Sequence, residues 1–193
     1  MKKIGITGGI ATGKSTVTQY LRSKGYPVID VDQGAREVVK PGQIGYSNIK
    51  MLFGEKVIQE SGELDRKALA QIIFENPDKR MMVDAILHPL IFNWVAAQLL
   101  KLQDHALVFV DMPLLFETGY HKKVDESWLV YAPEEMQIQR LMKRNNLSQE
   151  EAIDRVKAQW SINDKRDYAT AIINNISTLD DLYRQVDNLL LFI

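Results

Sequence analysis

The chain has 193 residues, of which 46% are hydrophobic and 25% charged, and its formal net charge is −1. That length allows one domain with inserted subdomains and a sizeable core, while the near-zero charge supplies no basic field for nucleic acid. The absence of cysteine excludes disulfides, cysteine–zinc sites and thiol catalysis, and it fits a reducing compartment. Lys2 and Lys3 precede an apolar stretch as in a signal peptide, but the stretch is short and broken by Gly5, Gly8 and Gly9. No apolar run is expected to reach the roughly 20 residues that span a bilayer. The expectation is a soluble cytoplasmic protein, a monomer, with no membrane or nucleic-acid partner.

Strands alternate with helices along the chain, which implies an α/β fold with a central parallel sheet flanked by helices. Lys3–Thr7 reads as a short apolar strand, and Lys14–Lys24 as a helix stopped by Gly25. Pro27–Val31 reads as the second strand, ending in Asp30-Val31-Asp32. A long helical stretch follows. In it Asp65 caps a helix through Phe74, and a second pattern runs from Asp78 to Leu102 with Ile86, Leu87, Leu90, Ile91 and Trp94 on one face. Pro89 should kink or interrupt that helix.

Leu107–Asp111 is a continuous apolar run ending in a carboxylate, as in a buried parallel strand. Ser127–Tyr131 and Ala171–Ile173 read as further strands. Pro133–Arg144 and a capping-box helix opened by Ser148-Gln149-Glu150-Glu151 form a helical hairpin joined at Asn145-Asn146. Thr178 starts the last helix, where Leu182, Val186 and Leu189 supply a core face. The expected division is a core of 1–32, 104–132 and 167–193, a helical acceptor-binding region of 33–103, and a lid of 133–166.

Gly8-Gly9-Ile10-Ala11-Thr12-Gly13-Lys14-Ser15 matches G-x-x-x-x-G-K-[ST] completely. Glycines let consecutive backbone N–H groups turn toward phosphate oxygens, and the helix beginning near Lys14 adds its positive end. The loop Gly9, Ala11, Thr12, Gly13, Lys14, Ser15 and Thr16 is thus expected to hold a nucleoside triphosphate, ATP. Lys14 would reach the β- and γ-phosphates, and the Ser15 hydroxyl would ligate Mg²⁺. A glycine-rich turn with an accidental Lys-Ser is the competing reading, and the strand before and helix after weigh against it.

Asp111, at the end of its strand, is placed to hold Mg²⁺ or to cap a turn. Asp30 and Asp32, two apart on a strand, would share a face. Asp32, further out, is the better base for an acceptor hydroxyl, and capping the next helix is the structural alternative. Arg140 and Arg144 fall on one helix face and would form a lid that stabilises transferring charge; the alternative is a solvated face balanced by neighbouring glutamates. His88 reads on its own as a structural histidine. A guanine-specific Asn-Lys-x-Asp loop and a Leu-Ser-Gly-Gly-Gln signature are both missing from the sequence. A chain this small, with a helical insertion and a lid, fits a kinase of small metabolites.

Longer motifs narrow the reading. They are Gly5–Ile10 with Gly13–Thr16, Val28–Asp32 with Ala35-Arg36, Pro41-Gly42, Gly62–Arg66, His88-Pro89, Asp111–Glu117, Gln139-Arg140, Arg144, Gln159 and Lys165. With these the chain resembles the dephospho-CoA kinase family nearly end to end. The resemblance implies a P-loop kinase with helical acceptor-binding and lid insertions. It implies that ATP, with Mg²⁺, phosphorylates the ribose 3′-hydroxyl of dephospho-CoA, the last step of coenzyme A biosynthesis. It makes Asp32 the base, lines the acceptor site with Arg36, His88, Leu115, Phe116 and Glu117, and puts Arg140 and Arg144 in the lid. Another small-molecule or nucleoside monophosphate kinase is the runner-up. Two departures stand out. Ala11-Thr12-Gly13-Lys14 replaces the usual Gly-Ser-Gly-Lys, so the loop should avoid positive φ at Ala11. Ala169-Thr170 replaces Ala-Asp before the last strand, while Asn175 aligns and is expected near the adenine.

Overall fold

A computed structural model describes residues 1–193. Its five parallel strands are β1 (Lys2–Gly8), β2 (Val28–Asp30), β3 (Leu107–Asp111), β4 (Glu126–Tyr131) and β5 (Ala171–Asn174). They lie in the order β2-β3-β1-β4-β5. The α/β fold read from the sequence is therefore present. The register pairs Ile6 with Asp111 and Gly8 with Val130, so β3 ends beside the outgoing end of β1. Every residue of β3 is buried, which accounts for its continuous apolar run.

Two compact units divide the chain: residues 1–29 with 102–193, and residues 30–101. In the first unit, helix α1 (Lys14–Ser23) and the C-terminal helix Leu179–Leu190 cover one face of the sheet. Val17, Leu21, Leu182 and Val186 pack there on Ile4, Ile6, Phe109, Trp128, Val130 and Ile173. The Phe109 and Trp128 rings lie 5.5 Å apart and tilted, an arrangement that adds to their area burial. Thr178 caps the C-terminal helix by accepting from the Asp181 N–H, as its sequence predicts.

The second unit contains α2 (Val31–Glu37), α3 (Ile44–Phe53), α4 (Arg66–Glu75) and α5 (Pro77–Lys101). Its core is Val39, Ile49, Phe53, Val57, Leu64, Leu69 and Val83. Asp65 accepts from the Lys67 and Ala68 N–H groups and starts α4 at the predicted place. Three expectations change in this unit. Asp30 and Asp32 do not share a strand face: Asp30 ends β2 and N-caps α2, accepting from the Asp32 and Gln33 N–H groups. Asp32 stands exposed in the first turn of that helix. A short polar side chain that can bond the backbone two residues on ends the strand there, which alternation alone does not reveal.

The second change is at Pro89, where α5 continues unbroken. One missing backbone bond in a 25-residue helix packed along α2, α3 and α4 does not end it. Its most buried residues are Val83, Ile91 and Val95, a face offset from the predicted one. Third, α5 is long and apolar enough to cross a membrane by length and composition, with mean hydropathy 1.4. Within the 18-residue window that carries this value, 11% is buried inside the protein.

Candidate active site

The loop after β1 turns back on itself. The Thr12 N–H and hydroxyl both donate to the Gly9 carbonyl, at 3.3 and 2.9 Å. Gly13 has φ 96° and leads into α1. A Cβ on Gly13 would lie 2.1 Å from Asn175 Nδ2, so glycine is required there for space as well as for conformation. Ala11 has φ 58°, contrary to the expectation that its Cβ would exclude positive φ. The bonds on either side dictate the turn. Besides the Gly9 contacts, Asn175 Nδ2 donates to the Thr12 carbonyl at 2.8 Å. The left-handed cost of about 1–2 kcal/mol is outweighed by these ties.

A β-branched residue fits this conformation much worse than alanine. Ala11→Val should therefore lower stability by about 1–3 kcal/mol. Ala11→Gly should leave the thermal midpoint nearly unchanged, because relief of strain is offset by the freer unfolded chain. Thermal unfolding of both variants checks this.

Lys14 reaches across the loop and pairs with Asp111 Oδ1. Both side chains are largely buried. Asp111 thus balances the lysine's charge beside the loop. A Mg²⁺ ion binds through one or two carboxylates, phosphate oxygens and water. Ser15 Oγ and Asp111, both hard oxygen donors near the loop's helix, suit that demand.

Helix α6 (Glu134–Asn145) brings two more groups to the loop. Buried Gln137 donates to the Ala132 carbonyl at 2.8 Å, and its Oε1 would lie 2.5 Å from a Cβ on Gly9. Arg140 Nη2 donates to the Asn175 carbonyl at 2.9 Å, while its Nη1 is buried without a hydrogen-bond partner. Arg140 therefore points inward with one donor to spare, and the alternative of a solvated face does not hold for it. Arg144, one turn on, is exposed and donates to Asn145 Oδ1. Asn175 links the Thr12 carbonyl to Arg140, a contact the sequence does not foretell. Asn146 at φ 52° ends α6, and Ser148 with Glu151 forms the predicted capping box of α7 (Gln149–Lys157). The Ser148 backbone bond holds the Glu151 carboxyl below its usual range.

The segment after β3 is pinned from two sides. The Pro113 carbonyl accepts from the Thr7 hydroxyl at 3.0 Å and from Lys165 Nζ at 3.2 Å. Lys165 is fully buried and lies 2.7 Å from Glu117 Oε1, a charge contact without hydrogen-bond alignment. Leu115 and Phe116 are buried, and Phe116 packs near His121 and Tyr168. Sequence reasoning gave Lys165 no role and missed Gln137; burial of each is the signal that singles them out.

In the second unit, Asp32 and Arg36 lie four apart on α2, hence one turn apart on one face. His88 on α5 stacks on Phe92 at 6.0 Å and lies 3.8 Å from Asp84 Oδ1.

The similarity of this chain to known proteins runs along nearly its whole length. The model of the dephospho-CoA kinase family matches residues 2–181. The chain belongs to the dephospho-CoA kinase family. A dephospho-CoA kinase of Oceanobacillus iheyensis is 45% identical over 192 residues, covering 97% of this chain and 95% of that one. One from Geobacillus kaustophilus is 43% identical over 185 residues, covering 95% and 92%. Among solved structures, TT1252 from Thermus thermophilus superposes with a TM-score of 0.87 at 38% identity, covering all of this chain and 97% of that one. A dephospho-CoA kinase from Campylobacter jejuni gives 0.75 at 28% identity, covering 99% and 96%. A shikimate kinase from Acinetobacter baumannii, at 0.56 and 20% identity, shares the fold. The resemblance read from the motifs is borne out at the level of the family, and the fold is that of a P-loop kinase.

Proposed function

We propose that this chain transfers the γ-phosphoryl group of ATP to the ribose 3′-hydroxyl of dephospho-CoA, giving CoA and ADP, the last step of coenzyme A biosynthesis. The observation that carries the reading is the family match over residues 2–181. The Lys14–Asp111 pair behind a complete phosphate loop supports it.

In this reading the backbone of Gly9–Thr16 and Lys14 hold the triphosphate, and Lys14 leaves Asp111 for the β- and γ-phosphate oxygens. Ser15 and Asp111 would hold Mg²⁺, whose chemistry is to neutralise charge on the phosphate oxygens. Asp32 accepts the proton of the 3′-hydroxyl as that oxygen bonds to the γ-phosphorus, and the bond to the ADP oxygen breaks. The spare Nη1 donor of Arg140 stabilises charge on the transferring group, Arg144 assists from the lid, and Asn175 keeps Arg140 and the loop in place. Arg36, His88, Leu115, Phe116 and Glu117 line the acceptor site. Residues 33–103 form the acceptor region and 133–166 the lid of a monomeric cytoplasmic enzyme.

A coupled ADP-release assay tests the substrate. Dephospho-CoA should support turnover and a nucleoside monophosphate should not; the reverse pattern would replace this reading with a nucleotide kinase.

A further inference from the structure

The motifs Pro41-Gly42 and Gly62–Arg66 belong to the family resemblance, yet none of the roles above uses them. The second unit brings them together. A pocket of about 220 Å³ is lined by Arg36, Lys40, Pro41, Glu63 and Arg66 around Val39 and Leu64. Three of those side chains are cations and one is a carboxylate. Val39 and Leu64 are buried core residues, so the floor is fixed.

The three cations come from separate places: the last turn of α2, the turn after it, and the start of α4. Arg66 Nη2 donates to the Arg36 carbonyl at 3.2 Å, which ties the two segments. Lys40 pairs at 2.7 Å with Glu37, and both are accessible. An exposed pair of this kind is worth at most about 1 kcal/mol, so an anion can take the lysine over. Arginines present several donors in a plane that matches phosphate oxygens. The pocket's volume is more room than a single inorganic ion fills.

One of the lining residues, Arg36, shares helix α2 with Asp32. Arg36 stands four residues after it on α2, about 6 Å along the helix. That is close to the reach from a ribose 3′-oxygen to its 5′-phosphate. We infer that the Arg36–Lys40–Arg66 pocket binds the diphosphate bridge of the acceptor, fixing the ribose so that its 3′-hydroxyl meets Asp32. The inference rests on the proposed acceptor and adds Lys40 and Arg66 as specificity residues. The acceptor would be recognised as a nucleoside carrying a 5′-diphosphate, whatever follows the diphosphate.

Steady-state kinetics of Lys40→Ala, Arg66→Ala and the double variant test it, with circular dichroism to confirm folding. The KM for dephospho-CoA should rise about ten- to a hundredfold in Arg66→Ala, the range of a lost charge-assisted hydrogen bond, and further in the double variant. The KM for ATP should stay unchanged. ADP-ribose, as a competitor of dephospho-CoA, should lose affinity in parallel, whereas adenosine, which lacks the diphosphate, should inhibit parent and variants equally. An unchanged KM for dephospho-CoA in the folded double variant overturns the pocket assignment while turnover by the parent leaves the proposed function standing. An equal loss for adenosine also overturns it, since the pocket would then act only by shaping the unit. Failure of the parent to use dephospho-CoA overturns both.

Discussion

Asp32→Asn should lower kcat for phosphoryl transfer by about 10²–10⁴-fold, the range of a lost general base. The amide keeps the size of the side chain and removes its capacity to take a proton. Asp32 stands exposed in the first turn of α2, and Asp30, not Asp32, supplies the cap of that helix. The substitution should therefore leave the helix start intact. ATP affinity, measured by calorimetry, should remain at the parental value, because the proposed mechanism gives phosphate binding to the loop of the first unit. Full activity in Asp32→Asn would remove the residue from the chemistry. Loss of ATP binding would show that it serves the nucleotide instead.

Lys165→Met should destabilise the folded chain by about 3–5 kcal/mol, the cost of leaving a buried charge without its partner. Lys165 is fully buried, and its ammonium meets Glu117 and the Pro113 carbonyl. Without it, the Glu117 carboxylate stays 14% exposed with no cation. At about 2–4 °C per kcal/mol for a chain of this length, the thermal midpoint should fall by on the order of 10 °C. Lys165→Met combined with Glu117→Leu should recover much of that loss, since a well-packed apolar pair often matches a buried ion pair. Additive losses in the double variant would mean that the two residues do not act as a pair.

The same residues explain what the sequence disclosed. The phosphate loop was legible because its chemistry fixes both residue types and spacing, and its strand and helix flank it where the pattern requires. Asp65, Ser148 and Thr178 announced their helices because capping is local: acceptor and donor lie within three residues. Asp32 was misplaced because an apolar run followed by Asp-Val-Asp also reads as a strand end. The bonds from the Asp32 and Gln33 N–H groups to Asp30 show that the helix has begun. Ala11 was misread for a different reason: its own preference is overruled by Asn175, distant in sequence, which holds the next residue's carbonyl. Lys165 lies in the polar run Asn163-Asp164-Lys165-Arg166-Asp167, whose pattern says surface. Its burial depends on Glu117 and Pro113 far up the chain. Gln137 and the inward turn of Arg140 share that dependence on distant partners. The acceptor pocket is the extreme case, since Arg36, Lys40 and Arg66 become neighbours only when α2 and α4 are folded together.

The most direct test of the central claim is to locate the transferred phosphate. The chain is incubated with ATP, Mg²⁺ and dephospho-CoA, and the product is examined by phosphorus and proton NMR. The account predicts one new phosphomonoester on the ribose 3′-oxygen for each ADP formed, with no ADP formed when dephospho-CoA is left out. A phosphate on the 2′-oxygen or on the pantetheine arm would contradict it, as would ADP released without any phosphorylated acceptor.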